Sequence, residues 1–376
     1  MTLRIFPLST VAAIAVNATR RLVSSPSVPQ CGDLQCTLCG EFSWCVMMIP
    51  ALFCRWELSL LALRIPREVF WPYFAGGAAL AIALLFLPKQ EIHRAHGLDK
   101  LISFGPLLVA IAMAIFGADH LIFAKFVAMI VPAWMPWRLF WAYFVGFALL
   151  AAALSLATTV CWRFAAAMLG IMLFLFVLLM HIPNWLHAPH DHTRLTFVLR
   201  DMALSFGILS FAFSRKTPAM TQRGMFSGFD VPASRVIAVT RFLVAFPVAI
   251  FGIEQFRNPA FAPGIPQDDP SVFITLPAWM PAHTVWAYAT GAIFVCCAVG
   301  MTTRRYARPA AKTLGITVLA LVVVAYIPLT IAKASDVASG LNYLAIHFAL
   351  AGAALLLAGA IPAEWLQVTE SPPRQR

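Results

Sequence analysis

The stretch Val131–Gly146 reads VPAWMPWRLFWAYFVG, and Leu276–Gly291 reads LPAWMPAHTVWAYATG. Pro-Ala-Trp-Met-Pro is written twice, each time followed by Trp-Ala-Tyr and a glycine. A shift of 145 lays Pro132–Pro183 over Pro277–Pro328 without a gap, and about 20 of the 52 positions are identical. The matches include rare and polar types, so shared hydrophobicity does not produce them; a repeat of this length implies duplication. Trp134 meets Trp279, Arg163 meets Arg308, and Ile182–Pro183 meets Ile327–Pro328. Upstream, FGADH at 116–120 answers FGIEQ at 251–255, with about ten extra residues in the loop that follows the second copy.

Around this repeat the composition fixes the class. The chain has 376 residues, 61% hydrophobic and 11% charged, where soluble domains carry about 25% charged residues. Apolar runs of about 20 residues match the thickness of a hydrocarbon core, and no short alternating segments suggest a barrel. Spans are expected at 101–117, 138–158, 164–182, 195–213, 236–253, 283–301, 309–327 and 342–360, with a further one at 69–88. A run at 44–63 is interrupted by Arg55 and Glu57. The expected fold is therefore all-α and polytopic: two parallel-repeat four-helix transmembrane bundles with one or two extra N-terminal helices.

The domain reading follows. Residues 1–66 are a poorly patterned leader, and 67–97 carry an extra span and a cytoplasmic loop. Residues 98–216 are the first repeat, 217–232 a linker, 233–363 the second repeat, and 364–376 a tail. The leader holds Cys31, Cys36, Cys39, Cys45 and Cys54. Their C-x4-C-x2-C spacing resembles an iron–sulfur run without the fourth ligand's usual context, so no metal site is assigned.

The net charge is +11, carried largely by short loops. Lys89, Arg94, Lys100, Arg163, Arg215, Lys216, Arg223, Arg235, Arg304, Arg305, Arg308 and Lys312 all fall on one side of the eight repeat spans. That side is cytoplasmic by the positive-inside rule. No basic stripe is interleaved with exposed aromatics, which excludes nucleic acid as the partner. Four spans per repeat is an even number, so both copies insert in the same sense. The two elbows, Pro132, Trp134 and Pro136 in one and Pro277, Trp279 and Pro281 in the other, then lie at the outer face. Proline starts the next helix, and tryptophan settles in the headgroup layer. Each reads as an interfacial anchor, with a lid over a ligand site as the sharper alternative.

Gly-x-Asp-His at the first helix end, Pro-x-Trp-x-Pro, Tyr-x-x-Gly, Arg-x-Ala-Ala and the closing Ile-Pro resemble the DoxX family of small four-helix bacterial membrane proteins, and the second half carries the same marks. The resemblance covers roughly 98–363. It implies a multi-pass protein of the bacterial inner membrane. It also implies a place in a membrane redox complex, since the family takes its name from a subunit linked to a thiosulfate:quinone oxidoreductase. The implied partners are the lipid bilayer, quinone and a redox partner protein, which would supply the redox cofactor; the cofactor is unknown. A small-molecule permease and a non-enzymatic scaffold are the alternatives.

Ionisable groups at membrane depth are costly and functional by default. Asp119 and Glu254 occupy matching positions, and His120 beside Asp119 and His181 at a span end could handle protons. The candidate site residues are thus Asp119, His120, His181 and Glu254. The second copy has Gln255 for His120 and Tyr326 for His181, which makes it the scaffold if the chemistry needs histidine. The loop from His181 to His192 has H-x2-H-D-H spacing that suits zinc or copper. Pro183 and Pro189 break any helix that would align these ligands, so a solvated loop is expected. Arg200 and Asp201 lie inside a span and, as neighbours, are expected to seek different partners; Leu341 and Asn342 stand near the corresponding place in the second copy.

This topology sets an expectation for reporter fusions. A fluorescent protein fused after residue 225 or after residue 376 should report the cytoplasm, and alkaline phosphatase inserted at residue 188 should be active outside. Opposite signals at 225 and 376 would mean that the second copy crosses the membrane an odd number of times, against the four-span reading.

Overall fold

The computed structural model describes residues 66–214, 233–267 and 283–362. The cysteine-rich leader, the run at 44–63, the linker 217–232, the elbow at Pro277, Trp279 and Pro281, and the tail lie outside the described residues. Among the described residues there is no strand, and nine helices are long and apolar enough to cross a membrane. The protein is an all-α polytopic membrane protein.

An extra helix comes first, α1 (Arg67–Leu85). The first half then contains α2 (Gly105–Ile122), a short α3 (Ala124–Ile130), α4 (Arg138–Thr158), α5 (Trp162–Phe176) and α6 (His192–Ala212). The second half contains α7 (Ala233–Arg257), α8 (His283–Thr302), α9 (Arg304–Leu321) and α10 (Asn342–Ala360). In lipid, leucine gains nothing by leaving one apolar medium for another, so helices associate where small residues let backbones touch. Gly117 crosses Gly146, and a Cβ on Gly117 would lie 3.0 Å from the Gly146 carbonyl; Gly252 crosses Gly291 in the same way, at 2.8 Å. Gly170 lies against the Ser205 carbonyl and Gly315 against the Ala351 carbonyl. These contacts join α2 to α4, α7 to α8, α5 to α6, and α9 to α10.

The halves close on each other. Helix α10 packs on α2, α6 packs on α7, and α6 meets α10 between them. Gly352 lies on Val109 and Gly105 on Leu356, so α2 and α10 run antiparallel. Gly207 of α6 abuts Ala353 of α10, where a Cβ would stand 2.8 Å from the alanine methyl. The Ala- and Gly-rich sequence of α10 follows from this position, for it is enclosed on most sides. Arg163 donates to the Ala212 carbonyl at 2.9 Å and so finishes α6. Its counterpart Arg308 turns elsewhere. With Lys312 it meets Asp99, at 3.5 and 2.6 Å, pinning the segment that enters α2 to the start of α9.

Two expected spans are corrected at their ends. The segment written as 164–182 continues through Pro183 to Leu186, and that written as 309–327 starts at Arg304 and runs through Pro328 to Ala332. Proline in a helix interior removes a donor and crowds the turn before it. Both helices absorb this with one widened π turn, Val177–His181 and Val322–Tyr326. There Ile182 N–H donates back to Val177, and Ile327 N–H to Val322. Such turns cluster at functional sites, and here the last residue of each is His181 or Tyr326.

The loop after α7 accounts for the extra residues of the second copy. Ala262 through Gln267 are buried, and Ala262 is sealed in a cluster with Leu321, Ala325 and Tyr326.

Gly207→Val should force α6 and α10 apart at Ala353. An overpacking cost of about 1–3 kcal/mol is expected, read as a lower thermal midpoint in detergent. Gly77→Ala, whose added methyl meets open space, should not lower it.

Candidate functional site

His120 lies in the last turn of α2. Its Nδ1 is 2.7 Å from the Phe116 carbonyl. A carbonyl only accepts, so Nδ1 carries the proton and the lone pair of the neutral ring is on Nε2. His181, placed by the π turn, sits 2.8 Å from Asp201 Oδ2 through Nε2. The carboxylate accepts, which leaves the Nδ1 lone pair of the neutral imidazole unused. The other oxygen of Asp201 accepts from Arg200 Nε at 2.7 Å. The Arg200 guanidinium lies 4.7 Å from the centre of the Phe197 ring, a contact that favours the cation where water is scarce. Asp201 is 5% exposed. A carboxylate so buried stays ionised only if it is paired and hydrogen-bonded, and here each oxygen has a partner.

His120, His181, Arg200 and Asp201 line one cavity of about 460 Å³ in the first half. Its remaining wall is almost wholly apolar, with Met113, Phe116, Trp141 and Phe176 among the residues facing it. Val131 and Met135 of the elbow form part of that wall, and the Trp141 indole donates to the Pro136 carbonyl at 3.0 Å. Trp134 is exposed, while its neighbours Val131 and Met135 line the cavity. Ile130, Phe144, Leu175 and Leu179 line the cavity and are also exposed on the outer surface of the helices. The mouth therefore opens sideways, between α4 and α5, toward the hydrocarbon.

A larger groove of about 730 Å³ runs along the same α4–α5 seam and shares Met172 with the cavity. Alanines 148, 151, 152 and 165 leave this gap. The Ser155 and Thr158 hydroxyls within it already donate to the carbonyls of Val160 and Leu154. The groove thus offers shape without polar recognition, which suits an alkyl or isoprenoid chain.

The structure brings together two of the four candidate residues. Asp119 is buried and absent from the cavity wall. It faces Asn342 across the α2–α10 contact, with neither carboxylate oxygen in good hydrogen-bond geometry. Glu254 lies where α7 meets α6, 3.2 Å from His192 Nδ1 and 2.8 Å from Asn258 Nδ2. Both matched carboxylates thus sit on contacts between the halves. The histidine-rich loop is divided among other tasks. Asp191 caps α6 by accepting from Arg194 N–H, His187 Nδ1 donates to the Pro183 carbonyl, and His192 serves Glu254.

Sequence reasoning missed the third and fourth members of the site. Arg200 and Asp201 pair with each other instead of seeking different partners, because both side chains curl into the same cavity wall. The second-copy counterpart of Asp201 is also neither Leu341 nor Asn342. Since Gly170 meets Ser205 and Leu209 while Gly315 meets Ala351 and Leu355, the register in the fourth helix is 146, and Asp201 corresponds to His347. The signal was present as MALSFG at 202–207 against FALAGA at 348–353, one residue out of step with the rest of the repeat.

No protein-family profile, curated protein or solved structure matches the chain.

Removing one member of a buried ion pair strands the other. Asp201→Ala should cost about 3–5 kcal/mol by that argument, seen as a lowered denaturation midpoint in detergent. The double variant Arg200→Met, Asp201→Leu, which leaves no charge behind, should recover most of the loss.

Proposed function

We propose that this chain is a DoxX-like subunit of a membrane redox complex, and that the first-half cavity takes the head of a quinone or quinol. The observation that carries this reading is the pairing of spaces along one seam: a cavity with four ionisable side chains at one end, adjoining at Met172 an apolar groove. A quinone has the matching form, a flat ring with two oxygens and a long isoprenoid tail. Entry through the α4–α5 seam is from the bilayer, where such molecules reside.

The chemistry follows from the two imidazoles. Oxidation of a quinol releases two protons and two electrons. His120 Nε2 and His181 Nδ1 each offer a lone pair to one hydroxyl proton, and Asp201 stabilises the imidazolium formed at His181. A partner protein would have to supply the cofactor that accepts the two electrons. In the reverse direction the protonated imidazoles donate to the quinone oxygens. Arg200 keeps Asp201 ionised through either direction. Asp119 and Glu254 hold the halves together and take no part in this transfer.

The matching glycine crossings and paired π turns support duplication of one bundle, with both copies inserted in the same sense; a bacterial inner membrane is what the DoxX resemblance implies. A permease would need polar groups lining a route to both faces, and the groove leading from the cavity is apolar, which favours the redox reading.

A photoreactive azidoquinone tests the assignment. Irradiation of the protein in membranes should label α4 or α5, and decylubiquinone should compete. His120→Ala and His181→Phe should each weaken competition by the reduced form, decylubiquinol, whose hydroxyls donate to the two imidazole lone pairs, by about tenfold, the value of one hydrogen bond to a buried partner. Labelling elsewhere, or labelling that decylubiquinone does not displace, would remove the proposal.

A further inference from the structure

Among the described residues, the space in the second half that corresponds to this cavity is filled by the chain itself. Phe176, Met180, His181 and Trp141 line the space in the first half. The residues 145 further on are Leu321, Ala325, Tyr326 and Trp286, and these pack around Ala262 instead. At two of the four positions the second-half side chain is smaller, Leu for Phe and Ala for Met. The room released is taken by the chain itself. In the first half the corresponding segment is α3, which roofs the cavity through Val127 and Ile130 without entering it. In the second half the longer loop dips inward.

Its polar contacts repeat the positions of the first-half site. Gln255, at the place of His120, donates to the Ala262 carbonyl at 2.8 Å. Tyr326, at the place of His181, donates through its hydroxyl to the Pro263 carbonyl at 2.6 Å. His347, at the place of Asp201, stacks on Tyr326 with ring centres 3.6 Å apart and accepts from Ile265 N–H at 3.4 Å. The segment is held at its far end by Thr196, whose hydroxyl donates to the Pro266 carbonyl at 2.8 Å. Gly264 is required where it stands. Its φ is +107°, and a Cβ would meet His347 Nε2 at 3.0 Å and Leu321 Cδ1 at 3.2 Å. A backbone chosen to press this closely on ring and side chain is a fitted occupant.

We propose that Phe261–Gln267 is a tethered substitute ligand. It keeps the second cavity shut, its two successive carbonyls mark where a ligand's oxygens lie in the first, and withdrawing it opens a second binding site of the same kind. The ligand class in this statement, a molecule presenting carbonyl oxygens to residues 120 and 181, rests on the quinone reading. The closure of the second cavity does not. The consequence is an asymmetric protein with one site open to the bilayer and one filled from within.

Two measurements separate these parts. In a chain whose native cysteines are replaced by alanine, Met180→Cys and Ala325→Cys place thiols at matched points of the two cavities. A membrane-permeant maleimide should label Met180→Cys readily and Ala325→Cys at least about tenfold more slowly, since the latter needs local opening. Gly264→Val, and independently the pair Gln255→Leu, Tyr326→Phe, should release the segment and bring the two rates within about threefold of each other. The second variant removes both anchoring donors without crowding, so the test survives if Gly264→Val does not fold. Ala325→Cys reacting as fast as Met180→Cys in the parent would overturn the closure. So would slow labelling at Ala325→Cys in the released variants while Met180→Cys is unchanged. For the ligand, decylubiquinone should bind once per parent chain and twice per chain released by Gly264→Val, or by Gly264→Ala if the valine variant does not fold, since both keep Gln255 and Tyr326 as donors to the ligand's oxygens. One molecule in both, with the second cavity labelled, would show the segment to be filler and overturn its role as a substitute. No binding to either would reject the quinone reading and leave the closure to the thiols.

Discussion

Close backbone contact at glycine holds this molecule together. Hydrocarbon offers an apolar side chain no reward for burial, so helices in a bilayer adhere where dispersion and carbonyl contacts are densest. The crossings of Gly117 with Gly146 and of Gly252 with Gly291 set each first helix on its second. The contact of Gly207 with Ala353 and that of Gly352 with Val109 then set one half against the other. A methyl at any of these points would push two backbones apart. Everything else, including the direction in which His120 and His181 look, depends on rotations fixed by these contacts.

The site is built where that packing is interrupted. Pro183 cannot donate to the turn before it, and the widened turn that compensates rotates His181 into the bundle. There it meets Asp201 from α6, and Arg200 completes the charge balance. A carboxylate at this depth is tolerated because both its oxygens are engaged, and the arrangement leaves two imidazole lone pairs toward one apolar space. The alanines of α4 and α5 prevent a tight seam there, so the same weakness in packing that makes the cavity also connects it to lipid.

The two halves share helix crossings and a widened turn and differ in what fills the space beside it. The widened turn recurs before Pro328, but it carries Tyr326, and the partner on the fourth helix is His347. With Phe176 replaced by Leu321 and Met180 by Ala325, a backbone segment fits where side chains and empty space stood. Tyrosine and glutamine donate to carbonyls, so they suit a peptide occupant. Histidine and aspartate exchange protons, which is the basis of the proposed quinol site. The carboxylates Asp119 and Glu254, although matched in sequence, went to the seams between halves, where Asn342 and His192 face them.

The sequence by itself determined the class, the spans and the repeated phrase. Hydropathy over 20 residues, the placement of bases and identity at a fixed shift are local properties that each segment carries alone. It also marked His120 and His181 as costly at membrane depth. Only the tertiary structure decided that these two share a cavity while Asp119 and Glu254 do not. It also aligned Asp201 with His347 across a one-residue slip in register, and it drew the extra loop residues inward instead of over the surface. Such outcomes depend on how helices rotate and how much space their side chains leave. Those quantities belong to pairs of segments far apart in the chain, and no single segment encodes them.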